Sequence, residues 1–330
     1  MRAFLLLAGL VICVGMPIAS QALTTPSFAE FDQRAKRGER LTVVFFGASL
    51  TWGANASDQA VTSYRAVVQE MLEAQYPKGH FKCYDAAIGG TGSQLGAFRV
   101  ERDVLRHKPD LVFLDFSAND DIYSDSPEAL ASYEAILRRI IVEAHAPVLP
   151  VIFPFEWNTK SADLDNMKRR TAHLALAKAY GTTAGDAIQL SIERVKAGKN
   201  TMTELWPYDG VHPGDAGYHL FAEAAFAGFQ HAVQAKMVCA APAKMVNADT
   251  YFTSARVRIS TLGPLPAGWR VDHPSLVAAW HDGLMSRWLD DVAAAENRPF
   301  HAPKGYRPQR GGEGGAATRK LHRQHGDALR

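Results

Sequence analysis

The chain has few cysteines, little net charge and, beyond its first residues, no long apolar run. Its 330 residues include 3 cysteines and carry a formal net charge of +2. Such a balance gives no reason to expect a nucleic acid partner, and the short apolar runs exclude a helical membrane span after the N-terminal segment. Two cysteines, Cys83 and Cys239, lie outside that segment and could pair only if the fold brought them together.

The first 22 residues have the pattern of a secretory signal peptide. Arg2 precedes an apolar run over residues 3–14, and the small residues Ser20 and Ala22 stand at positions −3 and −1 of a cleavage site after Ala22. The alternative is an uncleaved anchor, which the short apolar run disfavours. We therefore expect a secreted or periplasmic protein with no membrane span after cleavage.

Apolar strands alternate with helical segments through the middle of the chain. Strands are predicted over residues 41–47, 81–88, 111–116, 147–153 and 182–186, and helices over 63–75, 94–106, 127–144, 162–180 and 215–235, with shorter helices near 26–36 and before 196. This alternation predicts an α/β fold with a doubly wound, mostly parallel sheet, that is, a flavodoxin-like three-layer α/β/α domain over residues 23–236.

The composition changes after about residue 237. Residues 250–261 alternate as in a strand, and glycine and proline punctuate the residues that follow, so a small β-rich appendage is predicted over 237–302. Residues 303–330 are rich in Arg, Gly and His and have too few apolar side chains for a core, which predicts a disordered tail. The abrupt onset of this tail would also fit a lost reading frame, and the sequence does not decide between the two.

Three loops after predicted strands carry unusual residues. Ser49 follows the first strand, the glycine-dense segment 89–92 follows the second, and Asn119 follows the third. Each has an ordinary structural explanation, as a helix cap, a tight turn and an Asn turn. A phosphate site at the glycine segment is disfavoured, because neither Gly-Lys-Ser/Thr nor the G-x-G-x-x-G spacing is present.

Asp209 stands three residues before His212, in the loop that precedes the last predicted helix. In a turn, the carboxylate can orient one imidazole nitrogen and leave the other free to take a proton from a hydroxyl. The pair could instead cap a loop or bind a metal, but no third ligand has suitable spacing, so no metal site is predicted. Because ligands bind at the carboxyl ends of parallel strands, we expect Ser49, Gly90 and Asn119 at the same rim. Together these residues would supply what acyl transfer needs: a nucleophile, a base, an orienting carboxylate and oxyanion donors.

The four segments resemble the blocks of the SGNH (GDSL-type) hydrolase family, which supply Ser, Gly, Asn and His in that order. They are residues 47–51 (Gly-Ala-Ser-Leu-Thr), 88–92 (Ile-Gly-Gly-Thr-Gly), 118–120 (Ala-Asn-Asp) and 209–213 (Asp-Gly-Val-His-Pro). The resemblance implies that Ser49 is the nucleophile, His212 the base and Asp209 its orienting partner. It implies an oxyanion hole made by the N–H groups of Ser49 and Gly90 and the side chain of Asn119. No cofactor is predicted.

Three positions depart from the family pattern. Ala48 stands where an Asp is usual, Ser117 where a Gly often precedes the Asn by two, and Asp85 where an Asn is common. None of these changes removes a catalytic group, but they bear on the shape of the pocket floor and on any substrate inferred by analogy with the family.

The favoured hypothesis is a secreted serine esterase that works through an acyl-enzyme and removes acetyl groups from carbohydrate. Hydrolysis of lipid or other small esters is an alternative, as is a non-catalytic carbohydrate-binding protein on the same scaffold. An α/β-hydrolase is disfavoured because its G-x-S-x-G elbow is absent. Four aromatic residues near the blocks could stack on sugar rings if exposed, or else pack in the interior: Trp52, Trp157, Trp206 and Tyr208.

Overall fold

The computed structural model describes residues 25–160, 163–255 and 264. Strands and helices alternate through residues 28–234. The strands are β1 (Arg40–Gly47), β2 (His80–Ala87), β3 (Leu111–Leu114), β4 (Val148–Ile152) and β5 (Gly185–Asp186). The α-helices are α1 (Phe28–Lys36), α2 (Ser49–Trp52), α3 (Tyr64–Gln75), α4 (Ser93–Asp103), α5 (Pro127–Glu143), α6 (Glu156–Lys160), α7 (Lys168–Ala179), α8 (Ala187–Lys196), α9 (Met202–Leu205) and α10 (Asp215–Gln234). A 3-10 helix covers Leu105–His107.

The five strands form one parallel sheet in the order β2-β1-β3-β4-β5. β1 lies inside the sheet, in register with β2 from Arg40 opposite His80 to Gly47 opposite Ala87. This confirms the predicted doubly wound α/β fold. The order places the carboxyl ends of β2, β1 and β3 side by side, and these are the ends that precede the three predicted loops.

Aromatic packing holds the sheet to its helices. The rings of Phe45 on β1 and Phe113 on β3 stack with centroids 5.0 Å apart. Beyond the end of β4, Phe153 stacks on Phe221 of α10 at 4.6 Å. All four rings are almost fully buried, so each contributes a large apolar area to the core. The first pair joins β1 to β3, and the second holds the sheet against α10.

Most helix termini lie within two residues of the predictions, but two helices differ. The helix predicted over 94–106 ends at Asp103, and a separate 3-10 turn follows it. Ser126 caps α5 as expected, since its side chain accepts a hydrogen bond from the backbone N–H of Ala129. The helix predicted over 162–180 begins only at Lys168. Its first described residues form a turn in which Asp163 Oδ1 accepts from the backbone N–H of Asn166, a local bond that competes with the helix. The short helices α2, α6 and α9 had not been predicted.

The described part of the predicted appendage, residues 237–255, packs on the α/β domain. Val238 forms an isolated antiparallel bridge with Ser27, and the carboxylate of Glu134 on α5 accepts from the backbone N–H groups of Val246 and Asn247. Residues 250–253 form a turn, not the predicted strand, because their backbone bonds are local, as from Phe252 N to Asp249 O. The predicted signal peptide and tail lie outside the described residues, as does most of 256–302.

Cys83 and Cys239 are both free thiols. Burial raises the pKa of Cys83 to about 12 and that of Cys239 to about 11, so neither is a reactive thiolate at neutral pH. Within the described ranges, no helix combines the length and apolar character needed to cross a membrane.

Candidate active site

Ser49 lies where β1 leads into a single helical turn. β1 ends at Gly47 and α2 begins at Ser49, with Ala48 at the N-cap position. Ser49 is therefore the first residue of the helix and not its cap. Only glycine fits at position 47, because a Cβ there would lie 2.1 Å from Thr51 Oγ1 and 2.6 Å from the carbonyl oxygen of Asp115. This tight turn presents the Ser49 hydroxyl at the carboxyl edge of the sheet.

His212 reaches Ser49 from the loop before α10. Its Nε2 lies 3.0 Å from Ser49 Oγ, within hydrogen-bond distance. Its Nδ1 lies 3.6 Å from Asp209 Oδ2. The structure thus brings a hydroxyl, an imidazole and a carboxylate together, with the carboxylate oxygen just beyond hydrogen-bond distance of the ring.

Asp209 is fixed by three further donors. Its Oδ1 accepts from the backbone N–H groups of Val211 and His212, both at 2.7 Å, and its Oδ2 accepts from Asn55 Nδ2 at 2.8 Å. Burial acts to raise the pKa of Asp209, but these hydrogen bonds outweigh it and lower the pKa below its usual value. The carboxylate is therefore ionised at neutral pH, in the state that can orient an imidazole.

Asn55 is a site residue that the sequence reasoning missed. Its backbone has a φ of 68°, in the left-handed region that Asn tolerates better than most residues. The surrounding loop is held to α10, since Tyr218 Oη donates to the carbonyl of Ala54 at 2.6 Å and Asp215 accepts from Ser57 N at 2.8 Å. In the sequence, Asn55 is visible only as an Asn in the short segment Ala54 to Ser57. That pattern does not indicate a contact with Asp209.

Gly90 lies in the turn that follows β2. Its φ of 70° suits glycine, and a Cβ at the preceding residue, Gly89, would lie 3.7 Å from the Cβ of Ser49. The turn is closed by Thr91, whose Oγ1 donates to the carbonyl of Ile88 at 2.8 Å. The structure therefore places the predicted glycine segment against the serine.

Asn119 lies in the turn that follows β3. Its side-chain Oδ1 is buried and has no hydrogen-bond partner among the described residues. The next residue, Asp120, accepts from the backbone N–H of Ser93 at 2.9 Å, and a Cβ at Gly92 would lie only 2.5 Å from Asp120 Oδ1. This contact ties the Asn119 turn to the end of the Gly90 turn.

Three of the four aromatic residues considered for sugar stacking are exposed. Trp52 is 40%, Trp157 45% and Tyr208 75% exposed, whereas Trp206 is buried. Trp157 flanks the loop of His212, because a Cβ at Gly210 would lie 3.4 Å from its ring. Trp206 therefore packs in the interior. Trp52 lies on the helix of Ser49, Tyr208 directly precedes Asp209, and Trp157 lies on α6, so three exposed aromatic rings remain.

Within residues 25–160 and 163–255, no group of three or more His, Cys, Asp or Glu side chains is placed to hold a metal ion. The Asp209–His212 pair therefore has no further ligand of that kind beside it in the described part of the chain.

A parallel sheet between two layers of helices, with these residues at its carboxyl edge, is the arrangement expected of a GDSL-type hydrolase. Residues 45–220 match the model of the GDSL-like lipase/acylhydrolase family. The match covers more than half of the chain, and the chain belongs to this family. It is accordingly a carboxylic ester hydrolase by class.

Relatives of known structure or activity are similar over the same region. An acetylxylan esterase of Geobacillus stearothermophilus is 26% identical over 205 residues, which are 57% of this chain and 92% of that protein. The crystal structure of a two-domain esterase active on acetylated mannans, co-crystallised with mannopentaose, superposes with a TM-score of 0.58 at 32% identity. That match covers 68% of this chain and 57% of the two-domain esterase, so the chain spans less than two thirds of that protein's length.

Proposed function

We propose that the protein is a serine esterase that removes acetyl groups from a polysaccharide or its oligosaccharides through an acyl-enzyme. The observation that carries this proposal is the 3.0 Å contact between Ser49 Oγ and His212 Nε2, with Asp209 on the other side of the ring. These positions support the assignment of Ser49 as the nucleophile, His212 as its general base and Asp209 as the carboxylate that orients the base.

The proposed reaction has two halves. His212 Nε2 takes the proton from Ser49 Oγ as the oxygen attacks the acetyl carbonyl. The bond between that carbon and the sugar oxygen then breaks, the imidazolium protonates the sugar oxygen, and an acetyl ester remains on Ser49. Water, deprotonated by His212, then attacks this ester. As the bond between the acetyl carbon and Ser49 Oγ breaks, the imidazolium returns the proton to Oγ and acetate leaves.

Charge that develops on the carbonyl oxygen needs donors. We assign the backbone N–H groups of Ser49 and Gly90 and the side-chain amide of Asn119 to this oxyanion hole. Support comes from their positions on turns at the carboxyl ends of β1, β2 and β3, and from the left-handed φ of Gly90. Removal of one such donor typically costs a factor of about 10²–10³ in rate.

Two observations support a carbohydrate ester as the substrate. The relatives that resemble the chain include an acetylxylan esterase and an esterase active on acetylated mannans. In addition, Trp52, Trp157 and Tyr208 expose aromatic surface that can stack on sugar rings, because a ring face is apolar while its hydroxyls stay in water. Residues 1–22 read as a signal peptide, so the proposed site of action is outside the cytoplasm.

A substrate panel tests the proposal. Acetate release is measured from acetylated manno- and xylo-oligosaccharides, beside p-nitrophenyl esters of increasing acyl chain length, with Ser49→Ala as the blank. We expect acetyl esters to be cleaved best and acetylated oligosaccharides to give the highest kcat/KM. A preference for long acyl chains would assign a lipid ester instead, and binding of the oligosaccharides without acetate release would assign a non-catalytic binding protein.

A further inference from the structure

A buried carboxyl group joins the two segments that carry Ser49 and Asn119. Asp115 directly follows β3 and is fully buried. Its Oδ2 accepts from Thr51 Oγ1 at 3.2 Å, and its Oδ1 accepts from the backbone N–H and the hydroxyl of Ser117, each at 3.2 Å. One side chain thus contacts both α2 and the turn before Asn119.

On the side of the nucleophile, the contact falls on a helix that needs external support. α2 has four residues, and a single turn cannot hold its own orientation because few of its backbone groups are bonded within it. Thr51 is fully buried and lies two residues after Ser49. Its hydroxyl is therefore in a position to set the angle at which α2 leaves β1.

On the side of the oxyanion donors, Ser117 extends the contact across the sheet. Ser117 Oγ accepts from the backbone N–H of Phe153, just past β4, at 2.9 Å. Its hydroxyl has two acceptors within reach, Asp115 Oδ1 at 3.2 Å and the carbonyl of Phe153 at 3.3 Å. The family often carries glycine at this position, and a glycine would have no hydroxyl for either bond. The departure at Ser117 thus adds a connection from Asp115 to the neighbouring strand end.

A carboxyl group at position 115 carries a large desolvation cost. Burial raises its pKa to about 7 although the hydrogen bonds of Thr51 and Ser117 act against that rise. The carboxylate of Asp120 raises it further, and among the described residues no ion pair offsets the charge. An apolar side chain would avoid the desolvation cost. The hydrogen bonds of this buried carboxyl group are directed at two active-site segments. This indicates a role in the arrangement of those segments.

We propose that Asp115 is a positioning residue that, through Thr51 and Ser117, holds the helix of Ser49 and the turn of Asn119 in the one arrangement that aligns nucleophile and oxyanion donors. The inference rests on the proposed function, because it concerns the geometry of that reaction. Positioning of this kind acts on the transition state more than on substrate binding, so its loss lowers kcat while KM stays nearly constant.

The test breaks the Thr51–Asp115 bond from both sides. Thr51→Val replaces the hydroxyl with a methyl group, Asp115→Asn replaces the carboxyl, and a double variant completes the cycle. We expect each single variant to lower kcat on p-nitrophenyl acetate by about tenfold or more. Because the two residues act as a unit, the double variant should lose little beyond the larger single loss. Thr51→Ser keeps the hydroxyl and should retain most of the activity.

Ser191→Ala is the matched control, since it deletes another fully buried hydroxyl, which donates to Ala187 within α8 outside the proposed site. All variants are assayed below their melting temperatures. Three results would each overturn the inference. The first is a loss of kcat in Thr51→Val no larger than that in Ser191→Ala, and the second is an equal loss in Thr51→Ser. The third is a double variant whose loss is the sum of the two single losses. Full activity in Ser49→Ala would instead overturn the proposed function, so the two failures are distinguishable.

Discussion

His212 Nε2 lies 3.0 Å from Ser49 Oγ, although 163 positions separate the two residues in the chain. β1 delivers the serine, and the loop before α10 delivers the histidine. The contact depends on the packing of α10 on the sheet, where Phe221 stacks on Phe153. This relationship carries the functional assignment, and the predictions below test the residues that hold it in place.

Asn55 should contribute to activity through its bond to Asp209. Asn55→Gly removes the amide but keeps the left-handed backbone without strain, and we expect kcat to fall about three- to tenfold, since Asp209 is partly exposed. Asn55→Ala should lose the same activity and also about 1–2 kcal/mol of stability, because its Cβ disfavours a positive φ. Steady-state kinetics and thermal melts of both variants check this. Full activity in Asn55→Gly would show that the Asn55–Asp209 bond is unimportant.

Asn119 should act in the transition state. Asn119→Ala removes the side-chain donor, and we expect kcat to fall by about 10²–10³ while KM changes little. The comparison is made on p-nitrophenyl acetate at saturating and limiting concentrations, with circular dichroism to confirm folding. An increase in KM with kcat unchanged would place Asn119 in ground-state binding and remove it from the oxyanion hole.

Much of the fold follows from local sequence, whereas the site follows only in part. The apolar run that forms β1 and the Ser126 cap of α5 are local signals, and both were predicted. Ser49 and His212 were also predicted, because their sequence neighbours resemble family blocks. Asn55 and Asp115 were not, since Asn55 contacts Asp209 and Asp115 contacts Thr51 across a long stretch of chain, and no local pattern records such a contact.

Asp115 should make the stability of the protein depend on pH. Its folded-state pKa of about 7 exceeds the unfolded value of about 4, so the folded state holds the proton more tightly. The stability from this proton is fully present below about pH 4 and is lost as the pH rises to about 7. Asp115→Asn does not titrate. As the pH rises from about 4 to about 7, the wild type should therefore lose about 2–4 kcal/mol of unfolding free energy relative to Asp115→Asn.

Urea unfolding of the two proteins in parallel, from acid to neutral pH, measures this difference. Other carboxyl groups titrate in both proteins and largely cancel in the comparison. A difference between Asp115→Asn and wild type that stayed constant across the range would show that Asp115 does not titrate there.

Arg99 should stabilise the fold beneath the site. It is fully buried and donates to the carbonyls of Gly47 and Ala86 at 2.7 and 2.6 Å, while it pairs with Asp103 at 2.9 Å. Arg99→Met leaves these acceptors short of a donor, so we expect a loss of about 3–5 kcal/mol in unfolding free energy. Lys36→Met is the control, since Lys36 is largely exposed and should cost at most about 1 kcal/mol. Equal losses in the two variants would contradict this role for Arg99.

The most direct test of the account is the activity of Ser49→Ala. The change removes one oxygen atom from a nearly buried side chain, so the circular dichroism spectrum and melting curve should match those of the wild type. Hydrolysis of p-nitrophenyl acetate and release of acetate from acetylated oligosaccharides should both fall by a factor of about 10³ or more, because the nucleophile is gone. A folded Ser49→Ala protein that hydrolyses either substrate at the wild-type rate would contradict the account.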